Sequence, residues 1–206
     1  MRLSVLPAAL AAALFCLPEA AAEPVAESTR IALQAGWRLA PNARFGELAD
    51  AAGHPLVGPS AGGPGVLGVF GYRTSRQLEI ALEIGWATET FGFEDSTLSL
   101  THMPLAVAAR WAPWPGDLLP YFGGGVGYFL NFFSGGPIGS LESHGGGPFA
   151  LAGVSWQLAD RFGLIAEYRL GLARVELPGL GWMQTGGNWF CLGAQYAFAP
   201  ERRRLK

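Results

Sequence analysis

The chain has 206 residues and a formal net charge of −2, and this charge balance argues against nucleic acid and against an anionic membrane surface as partners. Half of its residues are apolar and only 15% are charged. After the N-terminal segment no apolar run reaches the roughly 18 residues that a transmembrane helix needs, which argues against a helical membrane protein.

Residues 1–22 have the pattern of a secretory signal peptide. Arg2 precedes an apolar run over residues 3–17, and the small residues 20–22 offer an Ala-x-Ala cleavage site. The apolar run is too short to span a bilayer comfortably as a helix. We therefore expect residues 1–22 to be removed, which leaves residues 23–206 as the mature chain.

The predicted cleavage after residue 22 also decides which of the two cysteines belongs to the mature chain. Acylation at Cys16, as in a lipoprotein, is the alternative to simple cleavage, but the bulky Phe15 before it disfavours this. If the signal peptide is removed, Cys191 is the single cysteine of the mature chain. A single thiol cannot form an intramolecular disulfide, so the sequence does not predict a disulfide-stabilised scaffold.

Apolar and polar residues alternate along eight segments of the mature chain. In residues 162–172, large apolar side chains such as Leu164 and Tyr168 share one face, while Glu167 and Arg169 share the other. A period of two predicts β-strands with one apolar and one polar face. Because few charges interrupt the apolar stripe, we expect it to face lipid. The eight predicted strands are residues 30–39, 66–73, 78–88, 102–111, 122–132, 150–158, 162–172 and 190–198.

The phase of the alternation is ambiguous at two places. In residues 66–73 apolar side chains occupy both faces, and we place the set that ends in Tyr72 outward. Leu98 and Leu100 have the phase opposite to that of the strand that follows them. This inversion predicts a bulge, or an extension beyond the membrane, near Pro104.

The connections between the strands alternate in length. Short links cover residues 74–77, 113–117 and 159–161, and longer ones cover residues 41–64, 134–147 and 178–187. Transmembrane barrels have tight turns on one side and longer loops on the other. The sequence therefore predicts an all-β fold, an eight-stranded antiparallel up-and-down transmembrane β-barrel. A signal-led barrel of this kind is expected in the bacterial outer membrane, with outer-membrane lipids as partners and a short periplasmic C-terminal tail.

The inward faces of the predicted strands carry arginines and glutamates in nearly equal number. Because a buried charge without a partner costs several kcal/mol, we expect these groups to form a network of ion pairs and amides. Inward-facing glycines argue instead for unfilled volume, so a network that lines a narrow conduit stays open as the alternative. The predicted polar network of the lumen consists of Arg30, Gln34, Arg38, Arg73, Glu79, Glu83, Arg110, Gln157, Glu167, Arg169 and Gln195.

Aromatic residues lie on the apolar faces of the same strands. Amphipathic rings prefer the boundary between lipid and water, and we interpret these residues as interfacial girdles. The predicted lipid-facing aromatic girdle consists of Trp37, Tyr72, Trp86, Trp111, Trp156, Tyr168, Tyr196 and Phe198.

Three short stretches also resemble a known superfamily. Residues 120–128 (PYFGGGVGY), residues 157–164 (QLADRFGL) and residues 167–169 (EYR) are similar to those of the small eight-stranded outer-membrane barrels of the OmpW and OmpA-like superfamily. The resemblance implies the barrel fold and insertion by the outer-membrane barrel assembly machinery. Members include small-molecule conduits, structural anchors and lipid-modifying enzymes. This chain departs from the usual pattern by continuing for eight residues after its last aromatic residue, Phe198.

From the residues and this resemblance we predict a non-enzymatic protein without cofactor or metal. It is interpreted as a narrow conduit or a binding site for small hydrophobic molecules, with a barrel of closed lumen that serves as a structural or surface-interaction protein as the alternative. A lipid-modifying hydrolase is less favoured, because Ser140, Glu142, Ser143 and His144 lie among glycines that would not hold a catalytic geometry. The loop residues that could collect apolar solutes or cap the barrel are Phe45, Leu48, Leu56, Val57, Ile138, Leu141, Leu180, Trp182 and Met183.

Overall fold

The computed structural model describes residues 27–39, 43–51, 53–58, 62–136, 139–177 and 181–198. The predicted signal peptide and its cleavage point lie outside these residues, as does the predicted C-terminal tail. Within these ranges no helix is long and apolar enough to cross a membrane.

The described chain forms one short helix and a series of strands. Each of the eight predicted strands corresponds to one long strand of the structure. In chain order the elements are β1 (Ser28–Leu39), α1 (Ala43–Ala51), β2 (Leu56–Gly58), β3 (Gly63–Arg73), β4 (Leu78–Phe93), β5 (Thr97–Trp111), β6 (Leu118–Gly135), β7 (Leu141–Gln157), β8 (Phe162–Gly171), β9 (Arg174–Leu177), β10 (Gly181–Gln184) and β11 (Gly187–Phe198).

Eight of these strands close into a ring. Each strand pairs antiparallel with its neighbours in the order β1, β3, β4, β5, β6, β7, β8 and β11, and β11 pairs again with β1. The closing pair runs from Thr29 opposite Phe198 to Leu39 opposite Asn188. Closure leaves the wall without a free edge, as a spanning β-structure requires. The prediction of an eight-stranded antiparallel barrel is confirmed.

Alternate residues of each strand point into and out of the barrel. In β8 the side chains of Ile165, Glu167 and Arg169 are buried, whereas those of Leu164 and Tyr168 are exposed. The same alternation in β3 places Tyr72 outward, as predicted from its aromatic character. The apolar residues therefore cover the outside and the charged residues lie inside, which is the reverse of a water-soluble sandwich.

The prediction of a bulge near Pro104 is wrong. The pairing of β4 with β5 keeps one register from Ile84 opposite Leu105 to Ala87 opposite His102. Leu98 and Leu100 lie on the inner face, where they are 0% and 1% exposed. The apparent change of phase reflects a change in the polarity of the interior along the barrel.

The barrel wall is taller on one side than on the other. Strands β4 to β7 have 15 to 18 residues, whereas β1, β3, β8 and β11 have 10 to 12. The predicted long connection over residues 134–147 is therefore shorter than expected, since β6 ends at Gly135 and β7 begins at Leu141. We call the end opposite the short links the outer end. At the outer end, α1, β2 and the hairpin of β9 and β10 cover the side of the barrel where the strands are shorter.

Candidate functional site in the barrel lumen

The first part of the lumen polar network lies near the short links. Arg30 donates from Nε to Glu79 Oε2 at 2.8 Å and also pairs with Glu79 Oε1, so the contact is bidentate. Arg30 Nη1 donates to Gln195 Oε1 at 2.8 Å, and the amide of Gln195 donates to Ser155 Oγ at 2.5 Å. These groups join β1, β4, β11 and β7.

The second part of the network crosses the centre of the lumen. Arg169 donates to both carboxylate oxygens of Glu83, at 2.7 and 2.6 Å, and Arg110 donates to Glu83 as well. Glu167 accepts from Arg169 at 2.5 Å, from Arg110 at 3.2 Å and from the Tyr121 hydroxyl at 2.8 Å. Because β4 and β8 are opposite each other in the ring, the Arg169–Glu83 pair bridges the full width of the barrel.

Two inward glycines of this region do not leave open space. A Cβ atom added at Gly71 would lie 2.7 Å from Cδ of Glu79, and one added at Gly153 would lie 2.6 Å from the Tyr121 hydroxyl. The network side chains therefore occupy the volume over these glycines. At these two positions the glycines do not leave the unfilled volume that the sequence suggested.

A separate polar level lies nearer the outer end. Arg38 pairs with Glu89, and both side chains are fully buried. The Arg38 guanidinium also donates to the carbonyl of Thr185 and, at 2.7 Å, to that of Gly186. These carbonyls mark the break between β10 and β11, so Arg38 ties the hairpin of β9 and β10 to the wall.

The same region contains further buried polar groups, of which His102 and Asn131 were not assigned to the network from the sequence and Gln34 was. His102 Nδ1 lies 2.8 Å from Asn131 Oδ1, and the imidazole ring stacks on Phe129 with centroids 5.3 Å apart. The side-chain amide of Gln34 is buried without a hydrogen-bond partner among the described residues.

The structure places all eleven predicted network residues on the inner face of the barrel, but they form more than one group. Arg30, Glu79, Glu83, Arg110 and the residues bound to them make one connected network. Arg38 belongs to the separate outer level. Gln157 touches the edge of the network, since Gln195 donates to its Oε1 at 3.5 Å, and Arg73 lies beside the network without joining it.

Apolar side chains close the outer end above the polar levels. The outer apolar cluster consists of Phe45, Phe91, Leu98, Leu100, Phe133, Val175, Leu177 and Met183. Phe45, from helix α1, lies 4.7 Å from Phe91 between ring centroids, and Leu56 and Leu141 pack against the cluster. Of the predicted loop residues, Val57 and Trp182 are exposed, while Ile138, Leu180 and the side chain of Leu48 lie outside the described part of the chain.

The predicted girdle residues all project from the outer surface of the wall. They occupy two levels on the strands, with Trp37, Trp86 and Tyr168 towards the outer end. Trp111, Trp156 and Tyr196 lie near the short links. Tyr168 also donates a hydrogen bond from its hydroxyl to Asn188 Oδ1 at 2.5 Å, which satisfies the polar end of the ring.

The residues considered for hydrolysis do not form a catalytic dyad. Ser143 points into the barrel and donates to the carbonyl of Glu176 at 2.9 Å, whereas Glu142 and His144 are exposed on the opposite face of β7. Neighbouring residues of a strand point to opposite faces, so Ser143 cannot meet Glu142 and His144. Ser140, the other serine considered, lies just before β7 and is exposed. Among the described side chains there is also no group of three or more potential metal ligands.

Comparison with known proteins extends the description of the fold. No family model matches the chain, and no curated protein sequence matches it. The outer membrane protein OprG from Pseudomonas aeruginosa has a similar structure, with a TM-score of 0.58 at 12% identity over 85% of this chain and 97% of that one. Neisserial surface protein A gives a TM-score of 0.56 at 16% identity, over 82% and 97%. The attachment invasion locus protein Ail of Yersinia pestis gives 0.53 at 14% identity, over 84% and 100%. At this level of identity the likeness shows a shared fold, that of small outer-membrane barrels.

Proposed function

We propose that this protein is an outer-membrane barrel with a closed lumen, which acts through its outer end and not as a pore. The observation that carries the proposal is the Arg169–Glu83 bridge between opposite strands, at 2.6 and 2.7 Å. Both members of this bridge make a further ion pair, Glu83 with Arg110 and Arg169 with Glu167, and Arg110 also pairs with Glu167. A solute that passes through would have to displace paired, buried charges.

The energetics of the interior support a closed state. Separating one buried ion pair leaves uncompensated charges, at a cost of about 3–5 kcal/mol. The outer apolar cluster adds a second barrier, because its side chains are buried against one another. Both barriers lie in the path of any solute that enters from the outer end.

Electrical measurement tests the proposal directly. We expect the purified protein in planar bilayers to show no conductance steps, and liposomes that contain it to show no swelling with small sugars. A general porin inserted in parallel controls for detection. Regular conductance steps from correctly folded protein would overturn the closed-lumen proposal and favour the conduit.

The location follows from the same proposal. The apolar wall and its two aromatic levels suit contact with outer-membrane lipids, and insertion by the barrel assembly machinery is the route that we propose. The short links would then face the periplasm and the outer end would face the exterior. The fold shared with OprG and Ail supports this placement.

Binding of small hydrophobic molecules at the outer end is the second candidate function. Val57 is 70% exposed and Trp182 is 60% exposed, and both lie next to members or neighbours of the outer apolar cluster in sequence. An apolar solute held there would cover these side chains. We expect an apolar fluorescent probe to bind the protein in nanodiscs and to bind more weakly to Trp182→Ser; equal binding by this variant and the parent would count against the site.

A further inference from the structure

Among the described residues, the charged side chains of the inner part of the barrel do not sum to zero. The connected network and its immediate surroundings contain four arginines and three glutamates, which leaves one positive charge in excess. The arginines are Arg30, Arg73, Arg110 and Arg169, and the glutamates are Glu79, Glu83 and Glu167. Arg38 and Glu89 neutralise each other farther out.

Arg73 is the arginine of this group that donates no hydrogen bond to a carboxylate of the described residues, although it is near enough to Glu79 for the two charges to interact. The other three arginines each donate hydrogen bonds to carboxylates. The guanidinium of Arg73 has no hydrogen bond or ion pair with any residue that the structure describes, although it faces the interior and is partly buried. Glu79, the carboxylate in its surroundings, already receives Arg30 and Arg110.

A small cavity lies beside this guanidinium. Its volume is about 30 Å³, and its walls include Arg73, Gln77 and Tyr121 as well as the paired groups Arg30 and Glu79. It lies at the end of the barrel that carries the short links, since Arg73 ends β3 and Gln77 belongs to the link that follows. A volume of this size holds a single small ion or a few water molecules.

We propose that this cavity binds a monovalent anion of chloride size, held by the Arg73 guanidinium and the Gln77 side-chain amide. The guanidinium supplies donors and a full positive charge. The Gln77 amide nitrogen donates one long hydrogen bond to the Pro113 carbonyl, at 3.4 Å, and has a second hydrogen for the anion. Glu79 does not repel the anion strongly, because two arginines compensate its charge. The bound anion makes the sum of charges in the inner barrel zero. This site is independent of whether the lumen conducts.

Chloride nuclear magnetic resonance measures the binding without reference to stability. We expect the parent protein in detergent to broaden the ³⁵Cl line, and the excess broadening to disappear with Arg73→Gln. Arg76→Gln removes a nearby exposed arginine from the same link and serves as the matched control, with the broadening retained. Equal broadening by the parent and Arg73→Gln would overturn the site.

A second variant tests the site by filling it. Gln77→Glu places a carboxylate next to Arg73, and we expect it to abolish the excess broadening while the barrel stays folded. Thermal unfolding at constant ionic strength, with chloride exchanged for a bulky sulfonate, gives an independent reading. We expect chloride to raise the melting temperature of the parent and to have no such effect on either variant. A parent that shows neither broadening nor a chloride-dependent melting temperature would contradict the proposal.

Discussion

At the scale of single residues, Arg110 is the most connected cation of the lumen. It reaches Glu83, Glu167 at 3.2 Å and Glu79 at 3.5 Å, so three carboxylates depend on it. Low polarity inside the barrel strengthens each of these contacts and raises the cost of losing one. Arg73 of β3, which hydrogen-bonds to none of them, provides the opposite case two strands away in the ring.

We predict that Arg110→Gln lowers the free energy of unfolding by about 3–5 kcal/mol, because it leaves buried carboxylates without compensation. Urea unfolding of the protein in lipid vesicles measures this change. Arg76→Gln, at an exposed link, should have little effect. If both variants unfold at the same urea concentration, the network contributes nothing to stability.

Residue alternation predicted which side chains enter the lumen but not all of their partners. Glu89 and Tyr121 bind Arg38 and Glu167, yet neither belongs to the predicted network. Both lie one residue beyond the predicted strand ends, since β4 continues past residue 88 and β6 begins before residue 122. Which strands face each other across the interior depends on these lengths and on the stagger of the ring, and local alternation contains neither.

At the scale of elements, β5 shows why the inner and outer faces of a strand cannot always be assigned from the positions of its apolar residues. Its inner face carries Arg110 near one end, and His102, Leu100 and Leu98 in turn towards the other. The sequence pattern assigns apolar residues to the lipid face. This assignment is valid only along the part of the barrel whose interior is polar. At the outer apolar cluster the interior is apolar, so apolar residues of β5 face inward there. The side chains that they contact come from distant segments such as α1.

The hairpin of β9 and β10 is a second element whose role depends on distant contacts. It follows β8 after a break and does not continue the closed ring. We predict that Arg38→Gln loosens this hairpin, because the Thr185 and Gly186 carbonyls lose their charged donor. Cys191, a buried thiol of the lumen, reports the opening. Hydrogen bonds to charged groups contribute about 1.5–3 kcal/mol, so maleimide should modify Cys191 about tenfold faster or more.

Mass spectrometry of the peptide that contains Cys191 measures this modification rate in folded protein. Arg174→Gln is the matched control, since Arg174 is an exposed arginine of β9. We expect its rate to equal that of the parent. If Arg38→Gln also leaves the rate unchanged, the buried pair does not hold the hairpin.

At the scale of the whole molecule, the distribution of polarity is inverted. Leu33 and Leu192 are among the most exposed apolar residues, at 68% and 69%, while the arginines and glutamates of the network are buried. Alternation in the sequence was sufficient to predict this inversion, because every strand repeats it. Water cannot stabilise such a surface, but the acyl chains of a bilayer can.

We predict that Leu192→Arg lowers the free energy of unfolding in lipid vesicles by about 2–4 kcal/mol, as expected for a charge near the bilayer midplane. Leu192 lies between Phe190 and Tyr196 on the outer face of β11, hence between the two aromatic levels. Trp182→Arg, in the hairpin beyond the wall, is the control and should fold as the parent does. Equal stability of the two variants would show that this face does not contact lipid.

The pairing of the first long strand with the last has a consequence for biogenesis. Because β1 pairs with β3 on one side but finds its second partner only in β11, about 150 residues or more later in the chain, the cylinder cannot close before the last strand has been made. Such a high contact order slows folding. Until the ring closes, the polypeptide has two unpaired strand edges and an apolar outer surface. We therefore expect the nascent molecule to reach its membrane before it folds, and a fragment truncated before Gly187, which lacks β11, to aggregate.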